Sequence, residues 1–291
     1  MGILRRIFPG KEQPPSEPSA VSRAIAAYLD CPYEYIPQGT AYGETVRRFN
    51  NAVAEGNEQG YVPVLIATNE VNLAEMLYDN AGLSDFLNRS SGYQDRQFAL
   101  KEGFALTDGE KSRLHAYRDS MIAGLRDTDA EDFLRTRMAE SAEDEEFDLE
   151  EEWGGEEIYF EFSRDSFSAP FDDDTQKSHE LLLAKIPAAE PWQVAAWLPM
   201  GGWNECPAPE ELLAMAKRWY DKYRAVICCV TSDELEFRVS DLPTDMEEAY
   251  ALAKEQYYFC QDRVEQYADE YNLRTLADNL TKSPFWYFWW D

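Results

Sequence analysis

Histidine is nearly absent: His115 and His179 are the only two in 291 residues, and neither lies beside a cysteine or carboxylate at metal-ligand spacing. No zinc site is expected, and no cofactor of any kind is implied. The chain also lacks G-x-x-x-x-G-K-[ST], G-x-G-x-x-G and G-x-S-x-G, so the common phosphate-loop, dinucleotide and hydrolase signatures are missing. No apolar run approaches the length of a membrane span. The opening Met1-Gly-Ile-Leu-Arg-Arg-Ile-Phe8 lacks the apolar region of a signal peptide, and Arg6 stands where a myristoylation motif needs Ser or Thr. Cations are scarce, 27 against 56 acids, for a net charge of -29 and an isoelectric point near 4.3. A phosphate backbone or anionic membrane needs a cationic face, so neither is an expected partner, whereas a basic protein would be attracted. Five cysteines (Cys31, Cys206, Cys228, Cys229, Cys260) form an odd set without regular spacing. Free thiols in a reducing, cytoplasmic compartment are the expectation.

The hydrophobic content of 44% with 14% aromatics marks a globular chain and not a disordered acidic one. Its charge is uneven: residues 138–291 carry 12 basic and 36 acidic side chains. No Lys or Arg interrupts residues 138–163, where the acids are densest. This run reads either as a solvated linker or as a docking surface. In the second case the partner-binding candidates are Glu143, Asp144, Glu145, Glu146, Glu150, Glu151, Glu152 and Trp153.

Hydrophobic periodicity predicts an α+β fold, a mixed β-sheet flanked by helices, with a helical insertion in the middle of the chain. Residues 1–20 read as a flexible lead-in, rich in Pro, Glu and Ser. Residues 21–83 form an N-terminal α/β part: helix 21–29, strand 33–37, helix 40–55 with Val46, Phe49 and Val53 on one face, strand 61–68, then a helix capped by Asn69. In the insertion, 84–139, Thr107-Asp-Gly-Glu110 and Thr128-Asp-Ala-Glu131 are capping-box starts. An acidic connector with a short strand at 158–162 occupies 140–175. Residues 176–291 form a C-terminal α+β domain. There, strand 181–186, helix 209–223, strand 225–230 and the alternating strand 235–239 precede a helix whose capping box is Thr244-Asp-Met-Glu247. That helix places Met246, Ala249, Tyr250, Ala253, Tyr257 and Cys260 inward. The chain closes on Phe285-Trp-Tyr-Phe-Trp-Trp290, an aromatic finish that has to be tied down as a core strand or used as a contact surface.

Two places invite a chemical reading. Cys228 and Cys229 are vicinal in an apolar strand, where successive side chains point to opposite faces, so the two thiols act as small core hydrophobes and cannot share an ion. The loop at 197–207 is different: Gly201 and Gly202 permit an unusual backbone, beside which Trp203, Asn204, Glu205 and Cys206 could form a binding or reactive loop. With Cys260 and Asp262 they would make a thiol–carboxylate pair; the bland alternative is a core-plugging Trp203, a turn-satisfying Asn204, a capping Asp262 and buried thiols.

Trp197-x-Pro-x-Gly-Gly-Trp-Asn-x-Cys-Pro207, Glu248-Ala249, Glu255-x-x-x-Phe259-Cys260-x-Asp262, Gln266 and the terminal Trp286-x-Phe-Trp-Trp-Asp291 resemble the bacterial domain-of-unknown-function family 4253, over roughly residues 180–291. Gln261 stands where that family often has proline. The resemblance implies an α+β domain in the bacterial cytoplasm and brings no catalytic residue to carry over. It also implies companionship with polymorphic toxin systems. The expected function is a non-enzymatic protein-binding module, an immunity-type protein that neutralises a basic toxin by occlusion with its acidic surface. The alternative is an enzyme using the loop from Gly201 to Cys206 with Cys260 and Asp262.

Overall fold

A computed structural model describes residues 17–83, 105–142, 148–155, 165–172, 174–266 and 271–291. Its helices and strands follow the apolar pattern closely. Helix α1 (Ala20–Leu29), strand β1 (Tyr33–Ile36), helix α2 (Tyr42–Gln59), strand β2 (Val62–Ala67) and helix α3 (Val71–Asn80) form the first part. Helices α4 (Asp108–Gly124), α5 (Asp129–Ser141) and the short α6 (Leu149–Trp153) follow, then a two-residue pair, β3 (Phe171–Asp172) with β4 (Lys177–Ser178). The rest comprises β5 (Leu181–Ile186), α7 (Val194–Trp197), α8 (Pro209–Tyr223), β6 (Val226–Val230), β7 (Glu234–Arg238), α9 (Met246–Phe259), α10 (Asp262–Glu265), α11 (Leu273–Leu280) and β8 (Phe285–Trp289). The architecture is α+β.

Six strands make one mixed sheet in the order β1-β5-β2-β6-β7-β8. The β2–β6 pair is parallel and its other neighbours are antiparallel. Both faces are covered, which is why β2 and β5 read as near-continuous apolar runs. Val64, Ile66, Leu182, Ala184, Trp286 and Phe288 enter the larger core cluster. Leu65, Ala67, Leu181, Leu183 and Phe285 enter a smaller one on the other face with Phe49 of α2 and Phe167. Leu114 and Met121 of α4 and Phe133 and Leu134 of α5 belong to the larger cluster, so these helices are part of the sheet's main packing layer.

Arg118 shows how α4 is fastened. It is 2% exposed, donates to the Tyr28 and Leu29 carbonyls at the end of α1, and lies 3.8 Å over the Trp197 ring. A guanidinium satisfies carbonyls that the helix end leaves without partners, and the indole face compensates part of its lost hydration.

Several local expectations are corrected. Glu70, not Asn69, occupies the N-cap of α3, without a side-chain cap bond. The capping box at Thr107 forms, with its hydroxyl accepting from the Glu110 amide, but Thr128 adopts αR geometry and makes no side-chain cap bond. Asp245, one residue after Thr244, caps α9 by accepting from the Glu248 amide, because Glu248 reaches back to Thr244 instead. Met246 consequently sits on the first turn at 46% exposure, not inward.

Two corrections concern the smaller core face. A bulge in the β6–β7 ladder pairs Ile227 with Phe237 and Cys229 with Glu236, leaving Cys228 as the extra residue. Two successive residues then oppose one, and both thiols enter the smaller cluster instead of opposite faces. Glu236, a polar position of the alternating strand 235–239, is fully buried. The loop before β3 folds over it: the Ser168 and Ala169 amides and the Ser168 hydroxyl all donate to its carboxyl group, at 2.8–3.3 Å. The strand expected at 158–162 lies outside the described residues.

Candidate functional site

The three quoted stretches of 197–207, 259–262 and 286–291 converge on one corner, at the outer edge of β8. Antiparallel pairing to β7 turns the amides and carbonyls of every second β8 residue inward, as in the bonds from Val239 to Pro284 and from Trp290 to Asp233. The alternate row faces out, and an edge strand normally leaves that row open to pairing with another chain. Here side chains take four of its groups. Arg263 donates to the Tyr287 carbonyl (2.6 Å), the Cys260 thiol to the Trp289 carbonyl (3.0 Å), and the Asp291 amide to Asp262 Oδ2 (3.0 Å). Asn204 completes the set by donating from Nδ2 to the Asp291 carbonyl at 2.5 Å.

The aromatic finish is held from its other side too. Trp286, Phe288 and Trp290 are buried among Trp219, Phe237 and Phe259. On the opposite face the Tyr287 hydroxyl donates to Glu234 and the Trp289 indole to Asp233. The expected core strand is therefore observed, with neither Trp289 nor Trp290 loose in solvent.

Each loop candidate now has a place. Cys206 is 3% exposed, Trp203 is half-buried against the main cluster, and Asn204 and Glu205 are exposed. Glu205 accepts from Arg137 of α5 at 3.1 Å and offers the same guanidinium its backbone carbonyl. Around this pair is a cleft of about 220 Å³ lined also by Glu140, Tyr258 and Gln261. Gln261 adopts φ -64° after an extended Cys260 at φ -153° and ψ 96°. That φ is the one a proline fixes, and its predecessor is extended and not helical, so the turn forms without a proline.

Residues 182–291 match the family described as a domain of unknown function, DUF4253. No curated protein and no solved structure matches the chain. The DUF4253 part thus contains β5, β6, β7 and β8 of the sheet and every residue of the converged corner except Arg137 and Glu140.

What this corner can do chemically is limited by its electrostatics. Burial pushes the Cys206 thiol far up, helped by the neighbouring Cys260. Burial also pushes Cys260 up to about 12, against the opposing effect of its bond to Trp289. Cys228 and Cys229 are raised well above an ordinary thiol by burial. Nucleophilic cysteine chemistry needs the thiolate, which this surrounding disfavours. Asp262 and Asn204 are spent on Asp291, and Glu205 on the Arg137 guanidinium. Among the described residues, no three His, Cys, Asp or Glu side chains are grouped to hold a metal.

A labelling experiment follows directly. With a thiol reagent at pH 8, the native protein should expose at most one reactive cysteine. That one is the half-buried Cys31, and it should react slowly because burial raises it to about 11. All five should react after unfolding in guanidinium. Fast modification of Cys206 or Cys260 in the native protein would contradict the assignment.

The acidic candidates divide. Glu143, Asp144, Glu145 and Glu146 lie outside the described residues. Glu150 is held by Lys254 at 2.6 Å and the Tyr250 hydroxyl at 2.7 Å, and these bonds keep its carboxyl group below the usual glutamate range. Trp153 packs against the main cluster, Arg274 clasps the Gly154 carbonyl, and Glu152 remains exposed. Glu151 belongs to α6 by its backbone. The described part of the acidic run is thus a short helix docked on α9 and α11, where a solvated linker would make no such contacts.

A relief that sequence reasoning missed lies beside it: a groove of about 600 Å³ between α5, α6 and α9. Its only sequence signal is Met138, an apolar residue at a charged helix end, which is 52% exposed. No helix among the described residues is long and apolar enough to cross a membrane.

Proposed function

We propose that the protein is a binding module of the immunity type, which neutralises a basic protein toxin by covering it with an acidic face. The observation that carries this reading is the anchoring of α6. An acidic helix fixed by Trp153, by the Glu150–Lys254 pair and by Arg274 presents Glu152 from an anchored backbone. Negative charge in a half-chain with 36 acids and 12 bases speeds the capture of a cationic partner, while apolar contacts set how long it stays. The enzyme alternative is disfavoured by the neutral thiols and by the internal bonds that occupy Asn204 and Asp262.

Co-purification with the product of the adjacent gene, and rescue of growth when that product is expressed, test the reading. Replacing Glu143, Glu145, Glu146 and Glu152 by Gln and Asp144 by Asn should slow association about ten-fold at low salt, with a much smaller effect on dissociation. No captured partner, or an association rate indifferent to both the variant and the salt concentration, would end it.

A further inference from the structure

Building on that binding function, we infer that the groove between α5, α6 and α9 receives a cationic amphipathic helix of the partner. Its floor is apolar, formed by Leu134, Met138, Ala142, Leu149, Ala251 and Tyr258. A volume of about 600 Å³ accommodates several aliphatic side chains from one face of a helix, the arrangement in which i, i+3, i+4 and i+7 anchors enter a groove. Met138 is unbranched and polarizable, so it adapts to the shape of an incoming apolar stripe.

Charge selects the occupant. Asp148, Glu150 and Glu255 line the margin with one cation, Lys254; Glu150 is paired with that lysine at 2.6 Å and Glu255 with Arg218 at 2.7 Å, so the margin is acidic in composition but partly compensated. Glu255 is turned toward Arg218 and the Trp219 indole, which fixes its position. Exposed Glu152 extends the negative field along α6, whereas Glu140 on α5 is paired with Arg137 at 3.5 Å. An anionic helix or a nucleic acid strand is repelled there, whereas a helix with Lys or Arg flanking its apolar stripe is matched on both counts. The groove wall is also preorganised, because α6 is tied down at Glu150, Trp153 and Gly154 before any partner arrives.

The test uses the full chain and a fluorescein-labelled 15-residue Leu/Lys peptide with leucines at helical spacing. A scrambled isomer of the same composition is the control, with anisotropy read at 0.15 M salt. The striped peptide should bind at least ten-fold tighter than its isomer. Met138→Lys and Ala251→Lys, both at exposed positions, should each weaken it at least ten-fold, while Gln59→Lys on α2 makes the same charge change elsewhere and should have no effect. Equal binding of the two peptides, undiminished binding by both groove variants, or an equal loss in Gln59→Lys would overturn the inference. So would a dimer in sedimentation equilibrium that Met138→Lys dissolves, since a second copy would then be the occupant. If the toxin is captured as well by both groove variants as by the wild type, the groove fails and the binding function stands. If nothing is captured by any form, the function itself fails.

Discussion

Gly201→Ala is expected to destabilise the protein by about 2 to 6 kcal/mol, enough to remove much of the margin of an ordinary domain. Two independent penalties add at this position. The residue has φ +101°, a region that side chains rarely adopt, which costs on the order of 1–3 kcal/mol. An added Cβ would also lie 1.9 Å from the Pro207 carbonyl oxygen and 3.2 Å from Cys206 Sγ, and a backbone atom cannot rotate away as a side-chain end can. Overpacking of this kind costs roughly another 1–3 kcal/mol. The loop cannot relax cheaply, because the Gly202 amide donates to the Pro207 carbonyl and Asn80 of α3 donates to both Pro199 and Gly201.

The adjacent residue is the internal control. Gly202 has φ +79° but open space where a Cβ would go, so Gly202→Ala should cost the backbone penalty alone, about 1–3 kcal/mol, and less than Gly201→Ala. Urea unfolding of both variants decides the matter. Similar midpoints for the two would show that the close approach at Pro207 does not exist in the folded protein.

Legibility in the sequence followed the range of the forces involved. Helix α8 was readable because its stripe of Leu212, Leu213, Ala216, Trp219 and Tyr223 repeats at helical spacing behind a proline at its first position. Strands β2 and β5 were readable because burial on both faces leaves no polar interruption. Glu236 was not: its carboxyl group is buried by a loop 68 residues away, and nothing within β7 announces that cover. The bulge at Cys228 was hidden for a related reason, since a one-residue slip in pairing leaves the apolar pattern of Val226–Val230 unchanged.

The loop candidates were brought together as chosen, yet their chemistry was ambiguous in principle. An asparagine, an aspartate and a thiol near one glycine pair suit catalysis or the capping of a strand edge equally well. Only the distances from Asn204 to Asp291 and from Cys260 to Trp289, across 87 and 29 residues, separate the two. The cap shift from Thr244 to Asp245 has a smaller cause, since either oxygen-bearing side chain can serve and the reach of Glu248 decides between them.

The second large effect is expected at Trp219. Its side chain is fully buried on α8 and touches four other rings: Phe237 at 5.6 Å, Phe259 at 4.9 Å, Trp286 at 5.7 Å and Phe288, stacked, at 5.5 Å. These rings come from β7, α9 and β8, so one indole joins three elements of the DUF4253 part. Its Nε1 also donates to Glu255, which Arg218 holds on the other side. Trp219→Ala removes the ring contacts and leaves a void that rigid aromatic neighbours fill poorly; such truncations cost about 3–5 kcal/mol. Trp219→Phe keeps most of the packing but loses the indole donor, and should cost about 1–2 kcal/mol, because Glu255 retains its arginine. Trp203→Ala, on the half-buried loop, should fall below Trp219→Ala by at least about 1 kcal/mol, since less apolar area leaves water there. Guanidinium unfolding followed by circular dichroism measures all three. If Trp203→Ala proved the costlier truncation, the loop and not the aromatic strand would be the centre of stability, and β8 would have to be held by something other than the packing of its own rings.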